Sequence, residues 1–118
     1  MKFSESLKKN YEFRRLYAKG KSAGGQLLVV YARRTHRRVN KLGITVSSKI
    51  GNAVVRNLIR RRLKEIYRLN EDKFSPGLEL VVVARQKSRE ASYRELERDF
   101  LRTCTKLGLL APVKEKSL

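Results

Sequence analysis

Between Gly51 and Arg68 the sequence reads GNAVVRNLIRRRLKEIYR, with Arg56, Arg60, Lys64 and Arg68 recurring every fourth residue and Arg61 beside them. Guanidinium and ammonium groups at this density break no bonds by themselves. Their chemistry is to hold phosphates, which arginine does with a planar fork and lysine with a point charge. At about 100° per residue, Val55, Leu58, Ile59, Leu63 and Ile66 gather into an apolar stripe expected to pack on the fold. Arg56, Asn57, Arg60, Arg61, Lys64 and Arg68 fall on the other side. A solvated helix face usually alternates charge sign at i, i+4. Here the one such pair is Arg61–Glu65, in its weaker order. Cations also crowd the helix N-terminus, where the backbone itself carries partial positive charge. Such loading suits a surface that meets a polyanion. Arg62 falls inside the apolar stripe, where it either snorkels to the edge or lies where the stripe meets a cleft.

Hydrolytic chemistry would need a general base, or carboxylates able to hold metal ions. His36, the single histidine, lies within RRTHRR, and its place in that basic loop makes it a ligand-facing residue rather than a base. Glu95, Glu97 and Asp99 are the densest acids, but Arg94, Arg98 and Arg102 interleave with them. That pattern predicts a salt-bridged solvent face. One Cys and one His cannot form a Cys/His metal cluster. No catalytic residue is assigned to the chain, and no metal site.

The 118 residues suffice for one domain, read as 1–118 with a flexible basic tail at 111–118. Lys and Arg number 29 against 11 Asp and Glu, a net charge of +18 that points to nucleic acid, an anionic membrane or an acidic protein. The longest apolar run, Leu27 to Ala32, is too short to span a bilayer, and the N-terminus lacks a signal-peptide core. A lone Cys104 suits a reducing cytosol. The expected setting is cytoplasmic, with no membrane partner.

Several elements must position the basic helix. Asn10 is placed to cap a helix over Tyr11 to Lys19, with Gly20 past its end and Phe13, Leu16 and Tyr17 on one face. Gln26 to Arg33 reads as a buried strand, and Leu42 to Ser47 alternates as a half-buried one. The basic segment between them reads as a hairpin loop. The basic helix covers 53–69, a turn-rich connector follows, and Leu78 to Ala84 reads as an interior strand. Ser92 and Glu95 form a capping box that opens a last helix, closed by Gly108. The order α-β-β-α-β-α predicts an α+β fold, a small mixed sheet against helices, with strands 42–47 and 78–84 parallel.

KIGNAVVRN at Lys49 to Asn57, followed by IRRRLKE, resembles the signature of the bacterial ribonuclease P protein subunit. That pattern is Lys-x-Gly-x-Ala-Val-x-Arg-Asn, two residues, Lys-Arg, two residues, Arg. Lys49, Gly51, Ala53, Val54, Arg56, Asn57 and Arg61 match it outright, while Arg60 and Lys64 exchange Arg and Lys. Arg62 stands where the family is often apolar. The likeness extends over the chain as far as Leu110.

The resemblance implies a protein that works with a catalytic RNA and precursor tRNA and binds no DNA. Together they remove the 5′ leader, with Mg²⁺ held at the RNA active site. Lys49, Asn52, Arg56, Asn57, Arg60, Arg61, Lys64 and Arg68 become the RNA-binding set. Phe13, Tyr17, Tyr31 and Arg33 become the leader cleft, while Leu28 stands where an aromatic is frequent. Aromatic rings above a positive groove suit single-stranded RNA. Aromatics at helical spacing are, on the residues alone, more often core. The family also implies a left-handed crossover between the parallel strands, against the usual right hand. A structural RNA-binding protein shares the charge and size. A DNA-binding regulator would show a helix-turn-helix spacing, which is absent.

Overall fold

The computed structural model describes residues 4–110, so the expected tail at 111–118 lies outside the described residues. The chain runs β1 (Ser4–Ser6), α1 (Asn10–Lys19), β2 (Lys21–Gly24), β3 (Leu28–Arg34), β4 (Asn40–Thr45) and α2 (Ala53–Asn70). A 3₁₀ turn, Glu71–Lys73, leads to β5 (Leu78–Ala84), and a second, Gln86–Glu90, leads to α3 (Tyr93–Lys106). The six expected elements appear in the expected order. β1 and β2, short and polar, are additions.

The five strands lie in the order β1-β4-β5-β3-β2. β4 and β5 are parallel, as are β1 and β4, while β3 runs antiparallel to both β5 and β2. This corrects the expected hairpin between the strands at 26–33 and 42–47. β3 and β4 do not pair with each other, because β5 lies between them. The physical reason is its composition: apart from Glu79, LELVVVA is apolar on both faces, and a central position is what buries both. The basic segment after β3 therefore spans the end of β5. It is held there by Thr35, whose amide and hydroxyl donate to the Gly77 carbonyl at 2.7 and 3.2 Å. Gly77 has φ +77°, the left-handed region in which glycine is at ease.

One sheet face carries the main core. Leu28, Val30, Leu80 and Val82 meet Ile59, Leu63 and Ile66 of α2 and Leu96, Phe100 and Cys104 of α3. Each such side chain contributes about 1.5–3 kcal/mol on leaving water. The buried stripe of α2 is rotated from the one expected. Leu58 is 38% exposed, and Tyr67 and Asn70 are buried instead. The rotation follows a polar network. Asn40 Nδ2 donates to the Tyr67 hydroxyl (3.3 Å), which lies 2.6 Å from Ser4 Oγ, and Ser4 donates to Glu71 (2.6 Å). Its proton committed to Glu71, Ser4 receives that of Tyr67. Burial pushes the Tyr67 hydroxyl pKa up, so it stays a donor. Arg62 snorkels, its guanidinium reaching the Ala91 carbonyl at 3.2 Å just ahead of α3.

α1 lies on the opposite face, where Leu16 packs with Leu7 and Val81. Its cap also corrects the reading. Asn10 is the first helical residue, and Glu12 closes the terminus by accepting the Lys8 and Lys9 amides, each at 3.2 Å. Lys41 donates to the same carboxylate at 2.7 Å, a tertiary partner that fixes Glu12 in this role.

Candidate nucleic-acid interface

Strand register divides the α1 face into three rows: Lys41–Glu79–Arg33, Gly43–Val81–Tyr31 and Thr45–Val83–Val29. α1 covers the first two. Glu12 meets Lys41, Arg15 meets Glu79, and Phe13 packs against the cluster around Val81. A Cβ on Gly43 would stand 2.7 Å from Phe13 Cε1, so glycine at this position is what lets the ring lie on the sheet. The third row is half-buried and forms a floor.

Tyr17 and Tyr31 stand beside that floor. Their rings meet edge to face at 4.9 Å, and the Tyr17 hydroxyl lies 3.3 Å from Thr45 Oγ1. Tyr17 remains 40% exposed. A buried aromatic pair would not be left in this state, so Tyr17 at least is not core. Leu28 points to the main core and is fully buried, because it sits on the opposite face from Tyr31. No stacking partner is available from it.

β1 ends opposite Leu42, which leaves the edge of β4 without a strand partner from Gly43 onward. Over that edge opens a cleft of about 720 Å³, bounded by Phe13, Gly43 and Ile44 on one side and Val54, Asn57, Arg60, Arg61 and Lys64 on the other. The structure thus sets Phe13 of the α1 face and the basic helix across a single groove, with Tyr17 and Tyr31 on the same sheet face.

On α2, Asn52 caps the helix by accepting the Val55 amide at 3.0 Å, and no acid occupies the first turn. Arg60 donates to Asn57 Oδ1 at 3.1 Å. Among the described residues Arg56, Arg60, Arg61 and Lys64 form no ion pair, and Arg56 Nε is buried without a hydrogen-bond partner. Glu65 does not pair with Arg61 as expected. It takes Arg68 in a bidentate pair at 2.9 and 2.7 Å, one turn on, where acid precedes cation. The Arg68 hydrogen bond holds the Glu65 carboxyl below its ordinary pKa range. Arg68 is therefore already neutralised. Lys49 is exposed in the turn before the helix.

The structure does not bring Arg33 to the aromatic pair. It lies under α1 and donates to the buried Glu79 at 2.9 Å, which Arg15 shares at 3.4 Å. Sequence reasoning missed Gly43, Ile44 and Val54 as lining residues, and Thr45 as the hydroxyl beside Tyr17. The one signal for Gly43 was a glycine inside an alternating strand. Exposed His36 sits in the basic loop. Burial pushes the Cys104 thiol up to about 12, which removes it as a nucleophile. Among the described residues no group of three or more His, Cys, Asp and Glu side chains could hold a metal ion. No helix among them is long and apolar enough to cross a membrane.

The family model for ribonuclease P matches residues 1–108. The chain is 40% identical to the ribonuclease P protein component of Alkaliphilus metalliredigens, over 94% of this chain and 100% of that protein. It is 45% identical to that of Clostridium kluyveri, over 87% and 94%. The Staphylococcus aureus RNase P protein superimposes with a TM-score of 0.83 at 29% identity, covering 90% of this chain and 97% of that one. The Thermotoga maritima protein gives 0.76 at 28%, covering 82% and 92%. Superposition this extensive carries the connectivity with it, and the left hand expected for the β4–α2–β5 crossover is consistent with it. The chain belongs to the ribonuclease P protein family, the protein components of the tRNA-processing enzyme that work with ribonuclease P RNA.

Proposed function

We propose that the protein binds the ribonuclease P RNA through Arg56, Asn57, Arg60, Arg61 and Lys64 and holds the 5′ leader of precursor tRNA in the adjoining cleft. The observation that carries this is the single groove that sets Phe13 opposite unpaired cations, with Tyr17 and Tyr31 on the same sheet face. Single-stranded RNA needs both features, stacking rings and a positive track for its backbone. Unpaired guanidiniums gain charge-assisted hydrogen bonds when phosphates arrive, and counterion release adds to the affinity. The described residues of the groove offer phosphates a row of cations and offer a scissile bond no histidine or carboxylate. This reading leaves hydrolysis to Mg²⁺ held by the RNA; among the described residues no three His, Cys, Asp or Glu side chains gather where they could hold a metal ion. The place of action is the cytoplasm, where tRNA is made.

Purification from the host at mild salt, with sequencing of the RNA that comes along, tests this reading. One dominant structured RNA is expected. A broad mixture of unrelated RNAs would support a general RNA-binding protein instead, and DNA would overturn the proposal.

A further inference from the structure

The groove leaves a basic surface on α3 unused. On α3, Arg94, Arg98 and Arg102 recur every fourth residue and are exposed. Four residues of helix advance about 6 Å, so the three form a straight row along the helix. The acids between them were expected to neutralise that row, and the structure gives each one a hydrogen-bond partner outside it, although Glu95 still stands near enough to Arg98 to feel its charge. Glu95 closes the capping box with Ser92, accepting its amide at 2.8 Å. Asp99 is buried and accepts the Leu27 amide at 3.0 Å, while Glu97 faces Asn70 at 3.4 Å. Among the described residues, none of the three arginines has a hydrogen bond or an ion pair.

The row lies on the far side of the molecule from the aromatics. α3 packs Leu96, Phe100 and Cys104 into the core shared with α2, whereas Phe13 and Tyr31 belong to the cluster under α1. A strand in the cleft cannot reach the row without passing round the molecule. Tyr93, beside Arg94, is turned toward Leu58, Glu65 and Arg68 of α2 and away from the row. The row can grip phosphates but cannot stack unpaired bases, which suits the rigid backbone of a paired RNA.

From this we infer that the outer row of α3 is a second RNA-binding face, which takes the phosphate backbone of a double-stranded RNA segment while the cleft holds a single strand. The inference goes beyond the proposed function and shares with it the premise that the ligand is RNA. Arginine suits the task, since its fork meets phosphate oxygens in pairs.

The test uses the full chain and two probes, an unstructured single-stranded RNA and a fully paired RNA hairpin. The variant is Arg94→Gln/Arg98→Gln/Arg102→Gln, which keeps helix propensity; Arg98→Gln alone serves if the triple variant melts early. The triple variant should lose about tenfold or more in hairpin affinity, and its salt slope should fall by roughly 0.7–0.9 for each phosphate it no longer neutralises. Single-strand affinity should stay within about twofold, and saturating single strand should not displace the hairpin from the unaltered protein. Unchanged hairpin binding, equal losses for both probes, or mutual displacement would each overturn the inference. So would a variant that loses affinity for anionic phospholipid vesicles and keeps it for the hairpin. A protein that fails to bind the single strand at all would overturn the proposed function instead, so the two failures are distinct.

Discussion

The cations beneath α1 and those along α2 live under opposite rules. Under α1, Lys41 lies 2.7 Å from Glu12, and Arg33 and Arg15 share Glu79 at 2.9 and 3.4 Å. Both carboxylates are buried, and each cation closes an ion pair that holds α1 to the sheet or braces the strand beneath it. On α2 the helix offers Glu65 alone, and Arg68 takes it. Arg60, Arg61 and Lys64 are left facing the cleft, and Arg56 stands half-buried without an ion pair among the described residues. Charge under α1 serves the fold. Charge on α2 works against it slightly, through self-repulsion and an unfavourable helix dipole, and in the proposed function is kept for RNA phosphates.

The sharpest break in this comparison is stability. Glu79→Leu strands two partly buried arginines and should cost about 3 kcal/mol, toward the lower end for a broken buried pair. Arg61→Ala on α2 should change stability by no more than about 0.5 kcal/mol. Urea midpoints for the two variants decide it, and similar losses would erase the distinction.

Gly43→Val tests how the α1 side reaches the cleft. The new side chain must displace the Phe13 ring, so overpacking should cost about 1–3 kcal/mol and weaken single-strand binding as well. Adding Phe13→Ala should recover stability in thermal melts without recovering RNA affinity. Recovery of both would place Phe13 in the core and outside the site.

Tyr31→Ala removes one ring of the edge-to-face pair. Precursor tRNA should bind about 1–3 kcal/mol more weakly, the worth of one stacked base, while mature tRNA binds as before. Equal losses for both ligands, measured by filter binding, would return Tyr31 to a structural role.

The smallest effect concerns acid. The Lys41 hydrogen bond, aided by the Lys9 and Lys8 amides and opposed by burial, holds the Glu12 carboxyl at about 2 against an ordinary 4.5. A depressed folded pKa means stability that is complete above the unfolded value and is lost as pH falls toward the folded one. The melting-temperature gap between the unaltered protein and Glu12→Gln should therefore hold above about pH 4.5 and shrink as pH falls toward about 2. A gap that is flat across that window would show that the ionised Glu12 carboxylate contributes nothing to folding.

Much of this was written in local pattern. The basic face of α2, the Ser92–Glu95 box and the apolar run of β5 depend on residues a few positions apart, and all three stand in the structure. What sequence could not show depends on distant partners. The Glu12 cap needs Lys41, and the rotation of α2 that exposes Leu58 needs Ser4 and Asn40 around Tyr67. β1 and β2, three and four residues long and polar, carry no alternation to find. The expected hairpin failed because β5, encoded later, takes the place between β3 and β4. At the site, the aromatic and basic halves were each legible. Their meeting in one groove depended on the early end of β1, and on Gly43.

The central claim is that the unpaired α2 cations hold RNA phosphates and take no part in the chemical step. The direct measurement is leader cleavage by the reconstituted complex across a Mg²⁺ titration, comparing the unaltered protein with Arg56→Ala/Arg60→Ala. The double variant should fold normally, lose most activity at low Mg²⁺ and regain it at high Mg²⁺, where the divalent ion screens the same phosphates. Its salt slope for RNA binding should be smaller by roughly 0.7–0.9 for each phosphate the two arginines had neutralised. A folded variant that stays inactive at every Mg²⁺ concentration would place these arginines in catalysis and contradict the account.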